Sequence, residues 1–240
     1  MRAALLLSAL LQAIAGFVLL RLRHGGKLAT ADRAAWGHRS SRMILRRMGM
    51  ELRVEGGAPA GGLIVANHLS YFDILMFSAA VPCVFVAKSE VRRWPLIGFM
   101  AELAGTIFIE RGRAASAAMV AEQMAARLCE GVCVVLFPEG TSSDGSALGR
   151  FHTWLFEPAV ECGSAVTAAA IGYAAAGQAE SDLCYYGDIS FAPHLLQALG
   201  YRNVGATVRF ADEAAVYPDR RSAANTTHTQ IMTMRNKQRG

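Results

Sequence analysis

The stretch GGLIVANHLSYFDILM, residues 61–76, decides how this chain folds. Its first part, GGLIVA, is a continuous apolar run typical of a strand that is covered on both faces of a sheet. Its second part places a histidine, His68, and a carboxylate, Asp73, where a helix would begin. Five residues along a regular helix rotate the chain by about 500°, leaving two such side chains about 140° apart. We therefore expect His68 in the turn before the helix and Asp73 in an early turn of that helix, curling back towards it.

The same rhythm of strand, turn and helix continues from residue 51 onwards. Taken alone, His68 could simply satisfy the core and Asp73 could open a helix, so the wider pattern has to decide. The predicted strands are Glu51–Val54, Leu63–Ala66, Cys83–Ala87, Gly105–Glu110, Val132–Phe137, Val166–Ile171 and Ala206–Phe210. The predicted helices between them are Asp73–Ala80, Arg93–Leu103, Arg113–Glu130, Phe151–Cys162 and Pro193–Leu199.

This alternation predicts an α/β fold with a mostly parallel central sheet flanked by helices. Several of the strands are continuous apolar runs rather than alternating ones, as expected where helices cover both faces. We assign residues 51–240 to this one domain, because no repeat or low-complexity linker interrupts them. The polar, basic tail from residue 222 is either a final helix or a frayed end.

The first 50 residues have a different character. Residues 3–20 are an uncharged run of 18 residues, near the lower limit for spanning a bilayer. A cleaved signal peptide is the alternative, since residues 13–15 read Ala-Ile-Ala, but the apolar run continues to Leu20. Arg21, Arg23 and Lys27 follow the run, and an excess of basic residues keeps that side cytosolic. We expect attachment to the cytoplasmic membrane with the remaining chain on its cytosolic side.

Two helices are predicted in this segment. In the first, Ser8, Gln12 and Gly16 recur every four residues and predict a small, polar face that packs on protein while the other face meets lipid. The second, Thr30–Met50, has Trp36, Met43 and Met50 at seven-residue spacing, beside a stripe of Arg39, Arg42 and Arg46. The arginines suit lipid phosphates, although a basic face on an ordinary core helix would look the same. Residues 1–50 are therefore predicted to be membrane-anchoring helices ahead of the α/β domain.

The overall composition favours a membrane surface over nucleic acid as a partner. The chain is 53% hydrophobic with a net charge of +5, and its aromatic content of 8% is low for stacking on bases. Its five cysteines are odd in number and form no Cys-x-x-Cys pair, as expected of reduced thiols on the cytosolic side.

Polar and charged residues are concentrated at the ends of three predicted strands. The segments are NHLSYFD at 67–73, GTIFIER at 105–111 and FPEGT at 137–141. In an open α/β sheet, sites form at the carboxyl ends of the strands, so these segments are expected to meet at one edge.

With these segments the chain resembles the glycerolipid acyltransferase superfamily, whose best-known members are the lysophosphatidic acid (1-acylglycerol-3-phosphate) acyltransferases. His68 and Asp73 look like its catalytic His-x4-Asp motif, GTIFIER like its second block and FPEGT like its third. AKSEVRRWPLIG, residues 87–98, is similar to the usual linker between the first two blocks. The resemblance covers residues 51–210 and implies an enzyme of phospholipid biosynthesis.

The reaction implied is transfer of a fatty acyl group from acyl-CoA or acyl-ACP (acyl carrier protein) to the free hydroxyl of a lysophospholipid, making phosphatidic acid from lysophosphatidic acid. A thioester is already activated, so the enzyme must supply a base and stabilise the oxyanion rather than form a covalent intermediate. His68 is the expected general base, and Asp73 would hold its other ring nitrogen and stabilise the imidazolium. No cofactor is expected beyond the donor thioester, and no metal.

The resemblance also implies an acceptor-binding set. Arg111 is the expected phosphate ligand, because a guanidinium matches phosphate oxygens in a bidentate way. Glu139 would orient Arg111 or a glycerol hydroxyl, while Gly140 and Thr141 offer backbone N–H and hydroxyl donors. The supporting residues are Asn67, Glu110, Ser142 and Arg150.

The chain departs from the family pattern in ways that leave the acceptor open. The third block usually continues Thr-Arg-Ser, but here Ser142 follows Thr141, and Arg150 is the next cation. FPEGTSSDGS and the later YYGDISFAPHLL resemble the branch with lyso-ornithine-lipid and lysophosphatidylcholine-type acyltransferases. Lysophosphatidic acid and a zwitterionic or amino lysolipid are therefore alternatives. Water as acceptor, giving a thioesterase or lipase, and a non-catalytic lipid-binding protein also remain open.

Overall fold

The computed structural model describes residues 2–94, 96–110 and 114–239. Its strands are β1 (Glu51–Glu55), β2 (Gly62–Ala66), β3 (Cys83–Lys88), β4 (Ile107–Ile109), β5 (Cys133–Leu136), β6 (Val166–Ala174) and β7 (Gly205–Phe210). They form one sheet in the order β1-β7-β6-β2-β5-β3-β4. The β6–β7 pair is antiparallel, and the other pairs are parallel. The predicted α/β fold with a mostly parallel sheet is confirmed.

The helices are α1 (Arg2–Arg23), α2 (Thr30–Met48), α3 (Phe72–Ala80), α4 (Ile97–Leu103), α5 (Ala114–Cys129), α6 (Glu157–Glu161), α7 (Phe191–Gly200) and α8 (Arg220–Arg239). Short 3₁₀ helices occupy Ser89–Arg93, Thr153–Phe156 and Glu180–Leu183. The polar tail is therefore a final helix, α8, and not a frayed end.

Two predicted helices are interrupted, both for reasons of proline chemistry. The predicted helix Phe151–Cys162 is a 3₁₀ turn followed by α6, because Pro158 in the first turn of α6 has no N–H to continue a helix from the preceding residues. The predicted helix Arg93–Leu103 is likewise divided. Trp94, which precedes a proline in the sequence, has an extended backbone, as the residue before proline prefers.

Helices cover both faces of the sheet, because alternate residues of each strand point to opposite sides. In β2, Ile64 and Ala66 pack in the core beneath α2, α3 and α7. Leu63 and Val65 pack in the other core, beneath α5, α6 and α8. Strands β2 and β5 are adjacent and parallel, so the turns that follow them lie side by side at the same edge of the sheet.

The N-terminal helix α1 packs along α2, mainly through a stripe next to the one that its sequence predicts. Ser8, Gln12 and Gly16 are exposed, and the buried residues are Ala9, Ala13 and Phe17. The Phe17 ring meets Trp36 of α2 edge-on at 5.0 Å, and an aromatic contact of this kind buries more apolar area than a stripe of small residues. The buried stripe is therefore displaced by one residue from the predicted one, while Ser8 and Gln12 contact α2 at its edge, where they accept hydrogen bonds from Arg47.

Candidate active site

The turn between β2 and α3 brings His68 and Asp73 together. His68 Nδ1 lies 2.7 Å from Asp73 Oδ2. The same oxygen accepts the backbone N–H groups of Leu69 at 2.8 Å and Ser70 at 3.1 Å. Asp73 lies in the first turn of α3 and is fully buried, so its carboxylate points back into the turn that carries the histidine.

The His68 ring is fixed from a second side. It stacks on Phe137, the residue that follows β5, with 4.3 Å between ring centroids and an angle of 14° between planes. A carboxylate only accepts hydrogen bonds, so the neutral imidazole carries its proton on Nδ1 and leaves the Nε2 lone pair free of Asp73. The side chain is 21% exposed and lines a large cavity. This is the arrangement that a general base requires.

The second oxygen of Asp73 has a partner that the sequence pattern did not reveal. Tyr173, at the carboxyl end of β6, donates its hydroxyl hydrogen to Asp73 Oδ1. Burial first, and the Asp73 charge second, raise the pKa of Tyr173 well above its ordinary value, so it remains a donor. Strand β6 was predicted to end at Ile171; the observed strand continues to Ala174 and includes this tyrosine.

Asn67 connects the same turn to β6. Its side-chain nitrogen donates to the carbonyl of Ile171 at 3.0 Å, and its side-chain oxygen accepts the Ile171 N–H at 2.9 Å. Both polar atoms of the buried amide are therefore used on the neighbouring strand. Asn67 holds the end of β2 in place, next to His68.

Glu139 connects the turn after β5 to the His68 turn. Its two oxygens accept the backbone N–H groups of His68 at 3.0 Å and Gly149 at 2.7 Å. Burial raises the pKa of the Glu139 carboxyl above its ordinary value, while those two N–H groups oppose the shift. The contacts described for Glu139 are thus to backbone, and its predicted partner Arg111 lies outside the described residues.

The turn residues Gly140, Thr141 and Ser142 all line the cavity beside His68. Gly140 has a left-handed backbone, with φ of 69°, and its N–H donates to Phe137 O at 3.0 Å. The Gly140 N–H predicted for substrate is therefore engaged within the turn. Ser142 donates its hydroxyl hydrogen to the carbonyl of Tyr185. This leaves Thr141 as the donor in this group that faces the cavity.

The two remaining predicted residues, Glu110 and Arg150, differ in whether they reach the cavity. Glu110 lines the cavity, and its backbone N–H donates to Ser116 Oγ at 2.9 Å. Arg150 is exposed, and the cavity lining formed by the described residues does not include it.

The cavity has a volume of about 890 Å³ and a mostly apolar lining. One part of the lining comes from α1, α2 and α7, including Leu6, Leu10, Ile44 and Leu199. Lys88 brings a cationic side chain to the lining. Such a cavity suits an acyl chain with a polar group held at His68.

One wall of the cavity, beside the turn that carries His68, is aromatic. Tyr71, Trp94, Tyr185 and Phe191 pack with ring centroids 4.8 to 6.4 Å apart, and all four line the cavity. The Tyr71 hydroxyl is 2.9 Å from Nδ1 of the buried His194. We call these four residues the aromatic wall.

Comparison with known proteins agrees with this architecture. The acyltransferase family model matches residues 51–172. A lyso-ornithine lipid O-acyltransferase of Pseudomonas aeruginosa is 38% identical over 187 residues, covering 76% of this chain and 70% of the relative. The enzyme of the same name from Brucella abortus is 34% identical over 237 residues, covering 91% and 86%.

Two further matches carry a different name. A 1-acyl-sn-glycerol-3-phosphate acyltransferase of Neisseria gonorrhoeae is 36% identical over 129 residues, covering 52% of this chain and 51% of the relative. The crystal structure of the 1-acyl-sn-glycerophosphate (LPA) acyltransferase from Thermotoga maritima matches with a TM-score of 0.66 at 19% identity, covering 100% of this chain and 98% of that one. At that identity the structural match shows a shared fold.

Proposed function

Because the chain belongs to the acyltransferase family, we propose that it is a membrane-associated O-acyltransferase that moves a fatty acyl group from a thioester to the free hydroxyl of a lysolipid. The observation that carries this proposal is the His68–Asp73 pair at the edge of an apolar cavity, with Nδ1 bound to the carboxylate. A base beside a chain-sized apolar cavity matches the chemistry of acyl transfer to a lipid alcohol.

In the proposed reaction, His68 Nε2 takes the proton from the acceptor hydroxyl as its oxygen attacks the thioester carbonyl. The carbonyl oxygen becomes an oxyanion, for which Thr141 is the proposed donor. The C–S bond then breaks, the imidazolium returns the proton to the leaving thiolate, and an ester and a free thiol result. Asp73 stabilises the imidazolium and keeps Nδ1 protonated. Acyl-CoA or acyl-ACP supplies the acyl group, and no cofactor takes part.

For the acceptor we favour a lysolipid with a zwitterionic, ornithine-type head group. Two relatives with that substrate in their names align over most of this chain. The aromatic wall lines the cavity, and aromatic rings attract an ammonium group such as that of ornithine. Ser142 stands where the family pattern usually has an arginine, and its hydroxyl is bonded to the Tyr185 carbonyl. These features suit an ammonium better than a phosphomonoester.

Lysophosphatidic acid is the second candidate acceptor. The Neisseria relative supports it, and Lys88 brings a cationic side chain to the cavity lining. Arg111 is the proposed phosphate ligand in this case. The two acceptors differ in head-group charge, so a direct competition between them separates the candidates.

The proposed membrane attachment uses residues 1–50 as the anchoring segment and 51–240 as the acyltransferase domain. Among the described helices, α1 is the one long and apolar enough to cross a membrane. Its outward surface includes Leu7, Leu11, Leu19 and Leu22, which are 50 to 71% exposed. Arg39, Arg42 and Arg46 of α2 are also exposed, where they can meet lipid phosphates on the cytosolic face of the cytoplasmic membrane.

The test is an acyl-transfer assay with purified full-length protein in vesicles. Palmitoyl-CoA and palmitoyl-ACP are offered in turn with an equimolar mixture of lyso-ornithine lipid and lysophosphatidic acid, and products are identified by mass. We expect acylated ornithine lipid as the main product from wild type, and none from His68→Ala. Free fatty acid as the main product, with lysolipid present, would instead indicate a thioesterase. Equal activity of His68→Ala would overturn the catalytic assignment.

A further inference from the structure

The carboxylate of Asp73 is held at both oxygens. Oδ2 contacts His68 and two backbone N–H groups, whereas Oδ1 accepts the Tyr173 hydroxyl. The contacts to His68 and the two N–H groups fix the position of Oδ2. The Tyr173 hydroxyl fixes Oδ1, and with it the rotation of the carboxylate about the Cβ–Cγ bond. Asp73 and the Tyr173 hydroxyl are enclosed in the protein, so water cannot replace this hydrogen bond.

Tyr173 is itself positioned by an ion pair that arrives from the C-terminal helix. Its backbone N–H donates to Glu180 Oε1 at 2.9 Å. Glu180 is paired with Arg235 of α8, through Nη1 to Oε1 at 2.9 Å and Nη2 to Oε2 at 2.7 Å. Arg235 also donates to the carbonyl of Ile171 at 2.8 Å, the same carbonyl that accepts Asn67. The end of β6 is therefore held by α8 on one side and by the His68 turn on the other.

Two glycines make room for the guanidinium. A Cβ at Gly172 would lie 2.7 Å from Arg235 Nη1, and one at Gly145 would lie 3.0 Å from Nη2. Gly145 also has a left-handed backbone, with φ of 79°. Arg235 is only 6% exposed, and its bidentate pairing with Glu180 is the geometry in which arginine binds a carboxylate most strongly. Arg235 and Glu180 therefore form a largely buried hydrogen-bond network with the end of β6 rather than a surface ion pair.

We propose that Tyr173 is a positioning residue for the catalytic carboxylate, and that the Arg235–Glu180 pair of α8 sets its position. The proposal rests on the proposed role of His68 and Asp73. It adds Tyr173, which holds Asp73, and the Arg235–Glu180 pair, which holds Tyr173. The C-terminal helix thereby becomes part of the catalytic apparatus although it contributes no atom to the reacting groups.

The main test is Tyr173→Phe, which keeps the ring and its packing and removes only the hydroxyl. We expect kcat to fall about tenfold, the equivalent of losing one hydrogen bond to a charged group, with KM for both substrates nearly unchanged. Without its donor, the Asp73 charge attracts the imidazolium more strongly. The acid limb of the kcat/KM profile should therefore move to higher pH by roughly half a unit. A tyrosine that only packs would leave that limb in place.

The role of α8 is tested by a double-mutant cycle. Arg235→Lys keeps the charge but loses the bidentate pairing, and we expect it to lower kcat about threefold in wild type and hardly at all in Tyr173→Phe. The matched control is Arg220→Ala on the same helix, whose ion pair with Glu157 is solvent-exposed and does not touch Tyr173, Glu180 or Asp73. Arg220→Ala should leave kcat unchanged. Thermal melting of every variant checks that the fold is kept.

The outcomes separate the two proposals. Loss of activity in His68→Ala with an unchanged rate and pH profile in Tyr173→Phe would overturn the positioning role alone. Full activity in His68→Ala would overturn the proposed catalytic pair, and with it the basis of this inference. Additive effects of Arg235→Lys and Tyr173→Phe would show that α8 does not act through the tyrosine.

Discussion

The turn at residues 67–73 and the helix α1 are held in the protein by different kinds of interaction. In the turn, Asn67, His68 and Asp73 each place side-chain atoms on partners in the neighbouring structure, and most of the segment is buried. In α1, three residues are buried, and large apolar side chains face outwards along most of the helix. The turn is held by directional hydrogen bonds, whereas α1 is held mainly by apolar packing.

The difference shows what each region needs in order to work. The proposed base must be fixed to within a fraction of an ångström of its substrate, and the many hydrogen bonds of its turn suit that role. The surface proposed to meet lipid needs apolar area and no particular geometry, so α1 in that role needs few such constraints. Several polar contacts tie α1 to the protein: Trp36 donates to the Ala13 carbonyl, Arg47 donates to Ser8 and Gln12, and Arg2 donates to the carbonyls of Leu199 and Tyr201. A large exposed apolar surface of this kind is expected at a membrane contact.

Breaking the turn should have the largest effect. We expect His68→Ala to lower turnover by roughly 10²–10⁴-fold, the usual contribution of a positioned base. Asp73→Asn should cost a comparable factor, because an amide can favour the wrong tautomer of the imidazole. Steady-state kinetics measure both. Asp219→Asn is the matched control, since Asp219 caps the start of α8 by accepting backbone N–H groups, which asparagine can also do. Near-normal turnover in a folded His68→Ala variant would contradict the assignment.

Breaking the surface of α1 should remove membrane attachment without removing chemistry. Leu11 and Leu19 are each 57% exposed, and an aspartate within a membrane helix costs about 2.5–3.5 kcal/mol. The double variant Leu11→Asp, Leu19→Asp should lose at least roughly a hundredfold in vesicle partitioning. Its turnover on detergent-dispersed substrates should change little. Vesicle flotation measures the partitioning.

The control for that variant is Val216→Asp. It also replaces an exposed apolar side chain by aspartate, but at a residue outside the N-terminal helices that is 60% exposed. It should float with vesicles as wild type does. If the α1 variant also remains bound, including in high salt, then the anchor lies elsewhere in the chain.

Changing the charge beside the catalytic turn should have a smaller effect, confined to the choice of acceptor. Ser142→Arg should raise the kcat/KM ratio for lysophosphatidic acid over lyso-ornithine lipid by up to about tenfold, through a charge-assisted contact with the phosphate. Ser142→Ala removes the bond to the Tyr185 carbonyl without adding charge, so it separates the two causes. A wild type that already prefers lysophosphatidic acid a hundredfold, with no change in Ser142→Arg, would show that position 142 does not select the acceptor.

The smallest effect concerns stability at the far side of the aromatic wall. Burial lowers the pKa of His194, so the folded protein favours its neutral form. Neutral His194 contributes fully to the free energy of unfolding at pH values above about 6.5, the pKa of a histidine in the unfolded chain. This contribution is lost as the pH falls from there through the lower pKa that His194 has in the folded protein. The wild type should therefore lose stability between about pH 6.5 and 5, and His194→Asn should lose less over that interval. Urea unfolding at both pH values measures the difference, with His152→Asn, at an exposed histidine, as control. Equal acid sensitivity in wild type and His194→Asn would contradict the prediction.

Local patterns in the sequence predicted the seven strands, a mostly parallel sheet and the pairing of His68 with Asp73. They succeeded because a buried parallel strand needs a continuous apolar run, and because the geometry of a helix start limits where a residue five positions on can point. The same local reasoning failed where a proline interrupted helical periodicity, as at Pro158, and where an aromatic contact outweighed a stripe of small residues on α1.

Only the tertiary structure decided which side chains hold the His68–Asp73 pair from behind. Tyr173 lies 100 residues from Asp73 in the sequence, and Arg235 lies 55 from Glu180. Whether such side chains meet depends on the register of β6 beside β2 and on where α8 packs across the sheet end, and a shift of one residue would turn Tyr173 to the opposite face. The sequence by itself determined the order of the elements and pointed to His68 and Asp73 as the proposed base and its carboxylate. The pairing of strands and helices determined which distant groups hold that carboxylate, because those contacts exist only after the chain has folded.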